Sequence, residues 1–224
     1  KVEKEKFKPK RRGRPKKGET REPKKPKILE QQHQMQSVEE KLTLVSTDCG
    51  VGIKQNSKGN REVWIGGKLH ISVVDGDIPV TAFYSAANVH DSSVSLPLIQ
   101  ETSKRVNYLY DLQDAGYDAD IIREFSTALG HRPIIDINPK NSKELKVKIE
   151  VQKDEQKKFE MLSLVQSSDT HHYNQRSMVE RVNKYLKEDF GCNTIYYQGA
   201  TKVASVLAFG ILSVCIHQSL KLVT

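Results

Sequence analysis

Fifteen residues, Tyr173 to Lys187 (YNQRSMVERVNKYLK), constrain the fold more than any other stretch of the chain. Read as a helix from about Arg176, they put Met178, Val179, Val182, Tyr185 and Leu186 on one face, at the spacing of an element that packs on a core. Arg176, Glu180, Asn183 and Lys187 recur at four, three and four residues and form a second stripe beside the apolar one. A carboxylate therefore stands at the edge of a buried surface, flanked by two cations and an amide. On periodicity alone the same pattern suits a solvated helix face with an Arg–Glu pair at i, i+4, a contact worth about 0.2–0.5 kcal/mol.

The rest of the chain supplies strands and helices for that face to meet. Leu42, Leu44 and Ser46 alternate with Thr43, Val45 and Thr47 in a run that stops at Asp48-Cys49-Gly50, which predicts a first strand ending in a carboxylate. Gln55 to Arg61 reads as a hairpin loop, and Glu62 to Val74 as a second strand bent at Gly66-Gly67. Asp75-Gly76-Asp77 makes a turn into a third strand, Ile78 to Tyr84, with Pro79 at its start. Asp-Gly is a hairpin signal, so both aspartates of the turn are assigned to structure. A helix over Ser93 to Lys104, capped by Asp91 or Ser92, leads to a short strand, Val106 to Asp111. A helix over Ala119 to Leu129 and a buried strand, His131 to Ile137, follow. Glu144 to Phe159 is charged enough to be an exposed helix or hairpin, and Ile28 to Glu40 is a short helix or a linker. Thr201 to about Leu220 closes the chain as an apolar helix, read as buried. Its longest apolar run, Val203 to Ile216, contains two serines and falls short of the ~20 residues a membrane span needs.

Charge is unevenly placed. Lys1 to Lys27 holds 14 Lys and Arg against 4 Glu, leaving 22 basic and 24 acidic residues in the remainder. A basic arm joined to a near-neutral globule points to a polyanion, most simply nucleic acid. Within it, Arg11-Arg12-Gly13-Arg14-Pro15-Lys16-Lys17 resembles an AT-hook, with Arg12 and Arg14 suited to a narrow minor groove and Gly13 to close backbone approach. A flexible linker making unspecific phosphate contacts fits the same residues. Cys49, Cys192 and Cys215 show no paired spacing, so neither a disulfide framework nor a structural zinc site is expected. No apolar stretch follows the basic start, which argues against a signal peptide and for the cytoplasm.

Tyr173, Arg176, Glu180 and Lys187 are separated by two, three and six residues. That spacing resembles the Y-R-E-K signature of DDE transposases from prokaryotic insertion sequences. Asp114-Ala115-Gly116-Tyr117 resembles the second catalytic motif of the same family, with Asp111 a competitor by strand position, and His90-Asp91 resembles the loop after its third strand. The likeness runs from about Thr43 to Leu222. Gly67 stands where the family usually has an aromatic residue, and Gly50 where an acidic one is expected.

The resemblance implies an α/β chain with the RNase H-like fold: a mixed central sheet with helices on both faces, strand one beside strand four. The arm and linker would occupy residues 1–40 and the catalytic domain 41–224. Asp48, Asp114 and Glu180 would then converge and hold two Mg²⁺ or Mn²⁺ ions for in-line phosphoryl transfer. Arg176 and Lys187 would hold phosphates, Tyr173 would lie near the scissile strand, and Lys140 would line the DNA path. The implied partners are terminal inverted repeats and target DNA, bound by a homodimer at the nucleoid, with no membrane. A DNA-binding protein that keeps this fold without catalysis is the rival reading. A ribonuclease or junction nuclease explains the carboxylates but not the Tyr-Arg-Glu-Lys spacing.

Overall fold

The computed structural model describes residues 26–55, 59–139, 142–163, 171–172 and 174–223. The basic arm with Arg12 and Arg14, the loop at 56–58, Lys140 and Tyr173 lie outside the described residues.

Two short helices come first, α1 (Ile28–Gln34) and α2 (Val38–Thr43). The second corrects the expectation of a strand over Leu42 to Thr47. Ser37 and Glu40 form a capping box: Ser37 Oγ accepts from the Glu40 amide at 3.1 Å and Glu40 Oε2 accepts from the Ser37 amide at 3.3 Å. That local bonding starts a helix which overrides the alternation that follows it. Lys41 pins the helix pair to the rest of the protein. Its ammonium is almost wholly buried, donates to Met35 O at 2.8 Å and Gln100 Oε1 at 2.6 Å, and lies over the Phe125 ring. Gln32, equally buried, donates to Lys41 O and Ser93 O. Donors taken out of water are tolerated because they find such acceptors.

Three antiparallel strands follow in the order β1 (Gly50–Gln55), β2 (Arg61–Val74), β3 (Ile78–Ala86). The long β2 changes partner at its bend, pairing with β1 through Gly66 and with β3 from Gly67. Gly66 sits at φ 150°, where a side chain would be strained. At Gly67 the Tyr84 ring occupies the space a Cβ would need, so an aromatic group reaches that spot from the neighbouring strand. The ribbon of β1 and the first half of β2 overhangs the body, with Val51, Ile65, Ile53 and Val63 all more than half exposed.

β4 (Tyr110–Gln113) and β5 (Arg132–Ile135) form a separate parallel pair. The expected contact between strand one and strand four is therefore corrected: Leu42 to Thr47 forms no strand, and among the described residues β4 pairs with β5 alone, so the single central sheet becomes two. The cause is visible upstream, where the Ala86 amide donates to Ser46 O at 2.8 Å and draws the chain entering β1 to the end of β3.

Helices join the two sheets. A 3₁₀ turn (Asp91–Val94) leads into α3 (Ser95–Arg105), and α4 (Asp120–Ala128) joins β4 to β5. Leu96, Ile99, Ile122 and Ile135 make one core between them. The 21-residue α5 (Lys143–Ser163) is a helix, not a hairpin, and buries no residue. The decisive stretch forms α6 (Ser177–Lys184), which widens into a π-helical turn (Tyr185–Asp189). Its Val182 and Leu186 meet Ile71 of β2 and Val214 of α7 (Ala200–Val223) in a second core. α7 corrects the expectation of a buried helix. It has 24 residues, is long and apolar enough to cross a membrane by length and composition, and packs on one side only.

Candidate active-site cleft

Between the second half of β2 and the segment Val106 to Asp114 lies a cleft of about 700 Å³. Ile71 to Asp75 forms one wall and β4 with its approach the other. Leu98, Ile99 and Thr102 of α3 contribute from one side, and His172, Gln175, Arg176 and Met178 to Glu180 from the other.

Asp114 and Glu180 both line this cleft, with Arg176 beside Glu180. The structure thus brings together two of the three carboxylates read from the sequence. Asp114 follows β4 and caps a 3₁₀ turn (Ala115–Tyr117), its Oδ1 accepting from the Gly116 amide at 2.9 Å. Gly116 allows that turn to close, since a Cβ there would press within 2.9 Å of the same oxygen. Glu180 is exposed in the first turn of α6, where the helix dipole favours a negative charge. Arg181, its neighbour, fixes the helix to the sheet: the guanidinium grips Asp77 in the β2–β3 turn with bonds of 2.7–3.1 Å. The turn aspartate is thus structural, as expected, but through a partner on α6.

Asp48 is not among the cleft residues. It is exposed in the loop before β1, its amide donating to Ser46 Oγ at 3.3 Å. Among the described residues no three of His, Cys, Asp and Glu stand together so as to hold a metal ion. The side chains as arranged therefore do not fit the pair of ions that the resemblance implies. Lys187 is exposed on the π turn, two turns beyond Glu180, and does not line the cleft.

Asp111 turns away from a catalytic part. Its carboxylate accepts from Ser126 Oγ at 2.8 Å and from Gln113 Nε2 at 3.1 Å, and burial raises its pKa above the usual carboxylate range despite those bonds. His172 stacks on Tyr110 with ring centroids 4.0 Å apart, and His131 stacks on Tyr108 at 3.9 Å. Burial, with the Asp111 charge adding to it, pushes the Tyr108 hydroxyl up to about 12.

The expected cap, Asp91 or Ser92, is corrected, since neither side chain caps α3. The His90 side chain accepts from the Ser92 amide instead. The Asp91 carboxylate meets Lys68 Nζ at 3.1 Å and lies 3.9 Å from His70 Nδ1, while His70 Nε2 shares a 2.8 Å hydrogen bond with Ser85 Oγ. This Asp-His-Ser line resembles a hydrolase relay only in residue types, because Ser85 has no exposed surface for a substrate to reach. Its nearer consequence is electrostatic: burial raises the pKa of Tyr117, and Asp91 and Asp114 together raise it further, so the two carboxylates act on one hydroxyl at the cleft. The signal lay in Lys68-x-His70, which alternation places on one face of β2.

Asp118 lies just before α4, whose N-cap position is Ala119. The Asp118 carboxylate pairs with Arg123 at 2.9 Å and accepts from the Asn138 amide at 2.8 Å, holding the chain after β5 against that helix.

Comparison with curated proteins and with solved structures gives no match. A family model described as the transposase DDE domain does match, over residues 37–216, which takes in both sheets, the cleft and most of α7. With its two motif carboxylates facing one cleft and four-fifths of its length inside that match, the chain belongs to the DDE transposase family.

Proposed function

We propose that this domain cuts DNA at the ends of a mobile element and joins the freed ends to target DNA, with Asp114 and Glu180, which line the cleft, as two catalytic carboxylates; Asp48, outside the cleft, is assigned as the third on the family resemblance alone. The observation that carries the reading is the shared cleft: residues far apart in sequence, on separate structural elements, meet across one cavity with Arg176 beside them. Arg176 suits a phosphate, because a guanidinium presents paired donors that match phosphate oxygens. The basic arm holds the duplex by charge and makes binding salt-dependent. Tyr173, Lys187 and Lys140 are further DNA contacts on this reading, Mg²⁺ or Mn²⁺ the expected metal, and a homodimer on DNA at the nucleoid the working form.

A second reading is favoured by the position of Asp48 outside the cleft: a DNA-binding protein that retains the fold without strand cleavage. One experiment separates the two. Oligonucleotides carrying an element end are incubated with the chain and with Asp48→Asn, Asp114→Asn and Glu180→Gln, with Mg²⁺ or Mn²⁺ and without. The first reading expects cleavage only with metal, abolished in all three variants while binding persists. Binding without cleavage under every condition establishes the second, and cleavage that survives Asp114→Asn or Glu180→Gln refutes the first.

A further inference from the structure

Arg181 follows Glu180 directly, yet it does not line the cleft. Its guanidinium crosses to the β2–β3 turn, where Nε and Nη2 donate to the Asp77 oxygens at 2.7–3.1 Å, while Nη1 donates back to Ser177 Oγ at 3.0 Å. Asp77 stands at φ 58°, a left-handed conformation that aspartate tolerates, so its carboxylate is presented from a fixed turn. Asp75, at the start of that turn, belongs to the cleft wall.

The clamp acts at the end of α6 that needs it. Val182 is the one buried residue of this helix, and Arg176 at its N-cap makes no side-chain cap bond. The core contacts of Val182 and Leu186 lie on the C-terminal side of Glu180. A helix pinned at its far end by packing can swing at its near end, and the fork of Arg181, bonded to Ser177 and Asp77 together, holds that end to the sheet.

We propose that Asp77 and Arg181 are positioning residues for strand cleavage: their clamp fixes where the Glu180 carboxylate stands in the cleft. Their role rests on the reading of Glu180 as a catalytic carboxylate. A phosphate contact is the competing role for an arginine beside a DNA-cutting site. It is disfavoured because each of the three guanidinium nitrogens already donates within the protein. Misplacing a catalytic group by about 1 Å can cost about a hundredfold in rate, whereas a half-exposed ion pair adds little to stability. Loss of the clamp should therefore slow cleavage far more than it weakens the fold.

The full chain is titrated to saturation against the element-end oligonucleotide in single-turnover cleavage with Mg²⁺ or Mn²⁺. Asp77→Gly, which suits the left-handed turn, and Arg181→Gln should each lower the saturating rate about 10–100-fold. Half-saturation, the salt slope of binding and the urea midpoint should move little. Both changes together should cost no more than either alone, and Arg181→Lys, charged but without the fork, should recover part of the loss. Lys54→Gln breaks an ion pair of 2.9 Å on the overhanging ribbon and should leave the rate unchanged. Hydrogen exchange without DNA should be faster at the amides of Glu180 to Lys184 in Asp77→Gly and unchanged in α4. Full rates in Asp77→Gly and Arg181→Gln while Glu180→Gln is inactive overturn this role alone. So do losses that add in the double variant, or a smaller salt slope in Arg181→Gln, which would make Arg181 a phosphate contact. Cleavage that survives Glu180→Gln, or a parent that binds without cleaving, removes the reading of Glu180 and the positioning role with it.

Discussion

Gly210→Ala sets two effects of opposite sign against each other. In the interior of a 24-residue helix, replacing glycine with alanine stabilises by about 1 kcal/mol through helix propensity. Position 210 is where α7 comes closest to the loop after α6. A methyl there would overlap Cys192 Sγ and lie 3.1 Å from Leu186 Cδ2. Overpacking of this kind costs about 1–3 kcal/mol, and little can move to relieve it. The Cys192 thiol turns on a single bond and is directed at Phe190 O, and its amide donates to Leu186 O at 2.8 Å. The sum is a loss of about 0–2 kcal/mol in place of a gain of about 1. Urea denaturation followed by circular dichroism measures it. The decisive comparison is the same substitution in a Cys192→Ala background, where the obstruction is gone and Gly210→Ala should stabilise by most of the propensity gain. Equal effects in both backgrounds, or a more stable single variant, would refute the packing argument.

Two further predictions concern pH. Burial lowers the pKa of His70 from its usual 6.5, opposed by Asp91 and reinforced by Lys68. The unfolded chain then takes up a proton near pH 6.5 that the folded chain refuses. Stability should be fully present above that pH and fall as pH drops through it. His70→Gln should flatten the decline in urea midpoint between about pH 7.5 and 5.5, and a decline of unchanged slope would clear His70. Asp111 has the opposite sign, because its folded pKa is raised: the stability due to its protonated form is present in acid and lost as pH rises through that value. Asp111→Asn keeps an oxygen to accept from Ser126, so it should raise the midpoint at neutral pH and lose that advantage in acid. A variant less stable at neutral pH than the parent would count against burial as the cause.

What the sequence made legible was whatever is encoded over a few neighbouring residues. The apolar face of α6 reads directly from periodicity, and Val182 and Leu186 are the residues that become buried. The bend at Gly66-Gly67 and the turn at Asp75–Asp77 lie where glycine permits them. Leu42 to Thr47 was misread because a capping box a few residues upstream outranks alternation, which leaves Asp48 in a loop and not at a strand end. The strand predicted over Val106 to Asp111 instead begins at Tyr110, where it finds Arg132 across the pair. Asp91 was misjudged because Lys68 and Ser85 reach its neighbourhood only after β2 and β3 pair, which no local window contains. Glu180 and Asp114 were singled out by motif, and the cleft they both line is bounded by elements of both sheets, which no short stretch of sequence contains.

Because the strands form two sheets, and among the described residues no strand pairing joins them, the two motif carboxylates stand on different elements. Asp114 travels with β4 and β5, while Glu180 is clamped through Arg181 and Asp77 to the other sheet. α3 contacts β2, β3 and α4, so its seating sets how one sheet stands relative to the other and with it the spacing of the two acids. A bound duplex that drew the sheets together, or a substitution that propped them apart, would retune the distance without touching either acid.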